Sequence, residues 1–161
     1  MNSKQQSTTI IDNLQPELIE SMDPIIKLAI EKAVKREALA KTFNIELVEL
    51  DTGFSIVEMN YDPDMMSNIY DRAHGGAIFA LIDEAFETVG QTHGTIAVAL
   101  NVNVTYIASP DAPVKLRAEA REVSRTKKTA NYDIKVVDEN MKLIATCQAL
   151  AFRTGKPIPF V

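Results

Sequence analysis

The stretch Asn68-Ile69-Tyr70-Asp71-Arg72-Ala73-His74-Gly75-Gly76-Ala77-Ile78-Phe79-Ala80-Leu81-Ile82-Asp83-Glu84 sets a carboxylate inside an apolar run that opens on two glycines. That pattern suits acyl transfer. Gly75 and Gly76 serve no purpose in a helix interior, where Gly is about 1 kcal/mol worse than Ala. At a helix N-terminus they leave backbone N–H groups bare, and such donors favour negative charge. A carbonyl oxygen that turns anionic would be stabilised there, as in an oxyanion hole, by donors about 3 Å from the developing charge. Asp83 follows eight residues after Gly75, a little over two turns along. Its neighbours Phe79, Ala80, Leu81, Ile82, Ala85 and Phe86 are apolar, so burial is expected to raise its pKa by disfavouring the charged form. Glu87, one turn further, adds like charge. The opposing reading has Asp83 end an apolar stripe and point into water, because carboxylates are seldom fully buried.

The flanking elements follow from spacing. Residues 1–15 are polar and expected to be loose, and residues 16–42 hold an amphipathic helix in which Asp23 caps and Pro24 takes the first helical position. Its apolar face runs through Ile25, Ile26, Leu28, Ala29, Ile30, Ala33, Val34 and Leu39. Two short strands, Phe43 to Leu50 and Phe54 to Met59, flank the turn signal Asp51-Thr52-Gly53 and suggest a hairpin. A long helix from Gly75 to Gln91 is apolar around most of its circumference and must be buried. After Gly94 the period becomes two: Ile96, Val98, Leu100, Val102, Val104 and Tyr106 are expected on one face of a long half-buried strand. Strands from Val114, through Tyr132, Ile134 and Val136, and from Lys142 to Arg153 complete a meander, with Arg125-Thr126-Lys127-Lys128 as a turn. The class is α+β, a sheet curled round one apolar helix. Its unpaired edges invite a second copy.

Composition narrows the function classes. The chain has 161 residues, 46% hydrophobic and 24% charged, which fits one globular domain, its body over residues 43–161 behind the N-terminal helix. A formal net charge of −5 argues against general nucleic-acid binding, which needs a basic face. No apolar run approaches the roughly 18 residues of a membrane span, so no membrane partner is expected. The single cysteine, Cys147, gives no disulfide and no thiolate metal site, and points to the cytoplasm. It reads as a packed strand residue. His74 and His93 have no metal-ligand spacing, and neither a G-x-S-x-G elbow nor a P-loop occurs. No metal or separate cofactor is expected.

His74-Gly75-Gly76 with an acid nine residues after the His, followed by the strand Asn103-Val104-Thr105-Tyr106, resembles the hotdog-fold acyl-CoA thioesterases of the 4-hydroxybenzoyl-CoA thioesterase superfamily, PaaI-like group. The resemblance covers Phe43 to Phe152. It implies acyl-CoA hydrolysis to a carboxylate and free CoA, with coenzyme A as part of the substrate. Asp83 matches the family's general base or nucleophile and the Gly75 N–H its oxyanion donor. Asn68 matches a residue that orients water or substrate, and His74 a supporting one. Gly76, Phe79 and Glu87 then border the substrate, and Arg125, Lys127 and Lys128 fall on the turn where the CoA phosphates lie. The resemblance further implies active sites between two subunits of a homodimer, or of a dimer of dimers.

Several alternatives stay open. Asn68 shapes a turn in the plainer reading, His74 satisfies a buried hydrogen bond, and the basic turn is merely solvated. The family often has Thr or Ser where this chain has Glu87, which either brings a second carboxylate toward Asp83 or bonds a basic group at a dimer seam. The strand beyond the helix offers Ala97, Ala99 and Asn101, with no serine. Phe79, Phe86, Tyr106 and Met59 line an acyl pocket or simply fill the core. Against the enzyme stands a non-catalytic acyl-CoA-binding or sensing module on the same fold; hydration of an enoyl thioester is a third reading.

Overall fold

A computed structural model describes residues 21–161; the segment expected to be loose, residues 1–15, lies outside the described residues. Helix α1 (Pro24–Val34) begins as its sequence requires, the Asp23 carboxylate accepting the Ile25 N–H at 2.8 Å. The helix expected to continue to Leu39 instead stops at Val34. The N–H groups of Arg36 and Glu37 close onto the carbonyls of Ala33 and Val34, and α2 (Ala38–Phe43) starts afresh from an extended Glu37. The break keeps the apolar stripe on the core, burying Ile30 and Val34 from α1 and Ala40 from α2. Phe43 therefore ends a helix rather than opening a strand, and Asn44 at φ 51 turns the chain.

Strands β1 (Glu46–Asp51) and β2 (Phe54–Tyr61) form the expected hairpin, with Gly53 at φ 67 in its turn. A short helix α3 (Pro63–Met66) and a loop lead into α4 (Gly75–Gln91), followed by β3 (Thr95–Tyr106), β4 (Val114–Arg125), β5 (Thr129–Asp138) and β6 (Leu143–Pro157). All six strands lie in one antiparallel sheet in the order β1-β2-β4-β5-β6-β3. The sheet wraps α4 in the hotdog arrangement, with α1 and α2 added at the N-terminal side. β4, β5 and β6 form the expected meander, while β3 crosses to the far edge beside β6. Ala118, Ala120, Ala130, Ala145, Ala149 and Ala151 are all buried, and these small side chains let the helix lie close to the strands. Leu81, Ile82, Ala85 and Val89 fill the interface completely, and Phe86 meets Tyr132 edge to face at 5.3 Å.

One expectation fails at β3. Its register slips between Ala99 and Asn101, and a one-residue slip moves every later side chain to the other face. Ala99 sits opposite buried Ala151, and past the bulge Val104 and Tyr106 sit opposite buried Cys147 and Ala145. The even-numbered stripe is thus split: Val98 and Leu100 are exposed, Ile96, Val102 and Val104 pack against the core with Ala97, and Ala99, itself exposed, lies on the side of Ala151. Cys147 is the packed strand residue expected, and burial pushes its thiol up to about 11.

Gly94 swings the chain from α4 into β3 at φ 70; its N–H donates to the Gln91 carbonyl at 2.8 Å and its carbonyl accepts the Ile158 N–H at 3.1 Å. A Cβ there would lie 2.5 Å from Ile26 Cδ1. Gly94→Ala combines that clash with a left-handed φ, and is expected to lower unfolding free energy by about 1–3 kcal/mol. Urea denaturation at neutral pH measures it.

Candidate active site

The start of α4 is held from several sides. The Asn68 side-chain oxygen accepts the N–H groups of Tyr70 at 2.9 Å and Arg72 at 3.3 Å, closing a turn with Asp71 at φ 57. Beyond that turn the Ala73 N–H donates to the Pro110 carbonyl at 2.8 Å and Ser109 Oγ donates to the Ala73 carbonyl at 2.9 Å. An Arg72–Asp111 ion pair at 3.2 Å adds to the contact. The loop after β3 therefore fixes where the helix begins.

His74 caps the helix. Its Nδ1 accepts the Gly76 N–H at 2.8 Å, and its carbonyl accepts those of Ala77 and Ile78. With Nδ1 accepting, the neutral ring carries its proton on Nε2. The Gly76 donor is thereby used within the chain. The Gly75 N–H has no acceptor among the described residues, which makes it the bare donor of the pair.

Asp83 is half-buried on α4, and burial holds its carboxyl above the ordinary aspartate range, as its apolar neighbours foretell. It borders a cavity of about 280 Å³ with Phe86, Glu87, Gly90, Gln91, Ala97, Val98, Ala99 and Ala151. The β3 bulge is what turns Ala97 and Ala99 toward this cavity. Glu87 shares the same wall and has no basic partner among the described residues. Burial raises its pKa first, then the charges of Glu37 and Asp83. Phe79 is 36% exposed, and with Gly76, Asp83 and Glu87 it forms a helix stripe that the rest of the chain leaves partly open.

The basic turn adjoins this end of the sheet. Ala151, on the cavity wall, pairs with Ala130, and Ala130 pairs with Arg125; two strand spacings of roughly 4.8 Å separate Arg125 from the wall. Arg125 is engaged by Glu122 at 3.0 Å and the Lys128 ammonium lies 5.6 Å from the Phe152 ring centre, whereas Lys127 is exposed with no partner among the described residues. No group of three or more residues that would hold a metal ion occurs among the described residues. No helix there is long and apolar enough to cross a membrane.

Sequence reasoning missed Glu84 and Glu37. Glu84 is 3% exposed, lies within reach of the like charge of Glu37, and leaves Oε1 without a partner among the described residues. Burial, then the charges of Glu37 and Glu87, push it up to about 8. Both acids line a second cavity of about 350 Å³ beneath α1, which shares Glu87 and Gln91 with the first. The signal was present: Glu84 continues the buried helical stripe Ala77-Leu81-Glu84-Thr88.

Comparison with known proteins agrees with this architecture. The description "Thioesterase superfamily" matches residues 70–145. The acyl-coenzyme A thioesterase PaaI of Escherichia coli is 31% identical over 124 residues, covering 77% of this chain and 88% of that protein. The structure of the E. coli PaaI protein from the phenylacetic acid degradation operon superposes with a TM-score of 0.78 at 28% identity, over 83% of this chain and 96% of that one. A Streptococcus mutans protein bound to acetyl CoA gives a TM-score of 0.68 at 30% identity, over 71% and 92% of the two chains. The chain belongs to the thioesterase superfamily, an enzyme of the hotdog fold. Within that superfamily it is PaaI-like.

Proposed function

We propose that the chain hydrolyses an acyl- or aryl-CoA thioester to a carboxylate and free CoA, with residues 43–161 as the catalytic unit. The observation that carries this is the pairing of a bare Gly75 N–H at the capped helix start with a half-buried Asp83 carboxyl bordering a cavity. Asp83 takes a proton from water as the hydroxyl adds to the thioester carbonyl carbon, or adds to that carbon itself, in which case loss of CoA as thiolate leaves a mixed anhydride on Asp83 that a water molecule then hydrolyses to the carboxylate and free Asp83. The negative charge formed on the carbonyl oxygen is met by the Gly75 N–H. Collapse breaks the C–S bond, and CoA leaves as thiolate or, with a proton returned from Asp83, as thiol. Asn68, whose side-chain nitrogen is left over from the turn, orients water or substrate, and His74 keeps the helix start rigid. Gly76, Phe79 and Glu87 border the acyl group, and Arg125, Lys127 and Lys128 meet the CoA phosphates, with Lys127 unengaged and available.

Eight residues of α-helix separate the Gly75 and Asp83 Cα atoms by about 12 Å. One carbonyl cannot meet both groups of the same chain. A second copy must bring its own helix start to each Asp83, and the open stripe on α4, with the exposed apolar side chains of edge strand β3, supplies a surface for it. A homodimer, or a dimer of dimers, with shared sites follows. The test is thiol release from a panel of aryl- and alkyl-acyl-CoA thioesters, run alongside size-exclusion chromatography. Turnover of at least one member by a dimer or tetramer is expected; tight binding of a member without thiol release would make the chain a binding module instead.

A further inference from the structure

We infer that Tyr106 is a positioning residue of this site: with His74 it clamps both ends of the Gly75–Gly76 peptide and so fixes the direction of the Gly75 N–H. The Tyr106 hydroxyl donates to the Gly75 carbonyl at 3.1 Å, and the N–H of the same peptide, on Gly76, donates to His74 Nδ1 at 2.8 Å. Two consecutive glycines have the widest backbone freedom of any pair, and the clamp removes it. With the oxygen tied to β3 and the nitrogen tied to the capping side chain, the peptide plane cannot rotate. The carbonyl of the preceding His74–Gly75 peptide accepts the Ala77 and Ile78 N–H groups, so with the next peptide clamped as well Gly75 cannot turn. Its N–H is set before substrate arrives, and preorganisation is what makes an oxyanion donor effective.

Two further features support the clamp. The Tyr106 ring packs so close to Gly75 that a Cβ there would lie 3.3 Å from its Cζ atom, which explains a glycine at that position apart from any need for positive φ. Tyr106 reaches the helix only because the β3 bulge turns the later half of the strand inward. The same bulge that lays Ala97 and Ala99 beside Asp83 therefore brings the clamp to Gly75, and one strand irregularity serves both ends of α4. The inference rests on the thioesterase reading for its catalytic consequence, but the clamp itself is a backbone property.

Tyr106→Phe keeps the ring and removes the hydroxyl. Amide hydrogen exchange at Gly76, read by NMR on the full-length protein, is expected to quicken by about tenfold or more as the peptide is released. On a thioester the wild type turns over, kcat is expected to fall by about 3–10-fold with KM changed by less than about twofold, because the lost effect belongs to the transition state. His74→Ala and Tyr106→Phe, acting on one peptide, are expected to be non-additive in kcat. Unchanged Gly76 exchange would overturn the clamp whatever the kinetics. Faster exchange with unaltered kcat would overturn the positioning role alone. A wild type that hydrolyses no thioester would overturn the functional reading and that role with it, while the exchange rate still decides whether the clamp exists.

Discussion

Glu84→Gln is expected to stabilise the protein at alkaline pH, by about 2–4 kcal/mol at pH 8, and to change it little below pH 4.5. Its carboxyl is pushed up to about 8 by burial first and then by the charges of Glu37 and Glu87, so the folded state holds its proton more tightly than the unfolded chain does. Between the unfolded pKa near 4.5 and the folded value near 8, the folded protein binds more protons and stability falls as pH rises. The stability present below the lower value is lost by the time pH passes the upper one. An uncharged amide of the same shape removes that loss. Melting temperatures of wild type and variant from pH 4.5 to 9 measure the effect: the curves should diverge as pH rises, with the variant higher. Parallel curves would show that Glu84 titrates normally and that its burial is relieved in solution.

The effect also bears on where the added N-terminal helices sit. Glu37 lies between α1 and α2, and its like charge faces Glu84 on the central helix, so that corner sits on α4 most easily while Glu84 holds its proton. Glu87, which faces the cavities on both sides, stands between this acid pair and Asp83. Charge gained at Glu84 at high pH therefore raises the cost of ionising its neighbours as well.

Much of this was legible in the residues themselves. Gly75-Gly76 and the apolar surroundings of Asp83 foretold a helix start and a carboxyl with a raised pKa, because both depend on local sequence; that His74 caps the start was seen only in the structure. The Asp23-Pro24 start and the Gly53 turn were equally plain. The face of β3 was not: strict alternation from Ile96 to Tyr106 gave no sign of a bulge at Ala99–Asn101, which is set by pairing with Leu150 and Ala151 across the sheet. The face of Tyr106 was as alternation suggests, but its contact with Gly75 was invisible, since it depends on how β3 is laid across the start of α4. The break after Val34 escaped notice because no Gly or Pro marks it; it answers to the shape of the core beneath. Asn68 shows the limit in another way, since its oxygen shapes a turn as the plainer reading held, a contact that the family pattern around it does not reveal.

The largest expected effect belongs to Asp83. Asp83→Asn keeps size and hydrogen-bonding shape but removes both the basic oxygen and the nucleophile, whichever of the two the reaction uses. General acid–base catalysis contributes about 10²–10⁴-fold, so kcat should fall by at least that lower bound. KM should change little if the carboxylate acts in the transition state rather than in binding. Folding should not suffer, because the side chain is only half-buried and burial already disfavours its charged form. The decisive measurement is thus kcat for thiol release from one CoA thioester by wild type and Asp83→Asn, at matched melting temperature and oligomeric state. The account predicts a loss of about 10²-fold or more in the variant; equal turnover by the two proteins would contradict it and remove Asp83 from the mechanism.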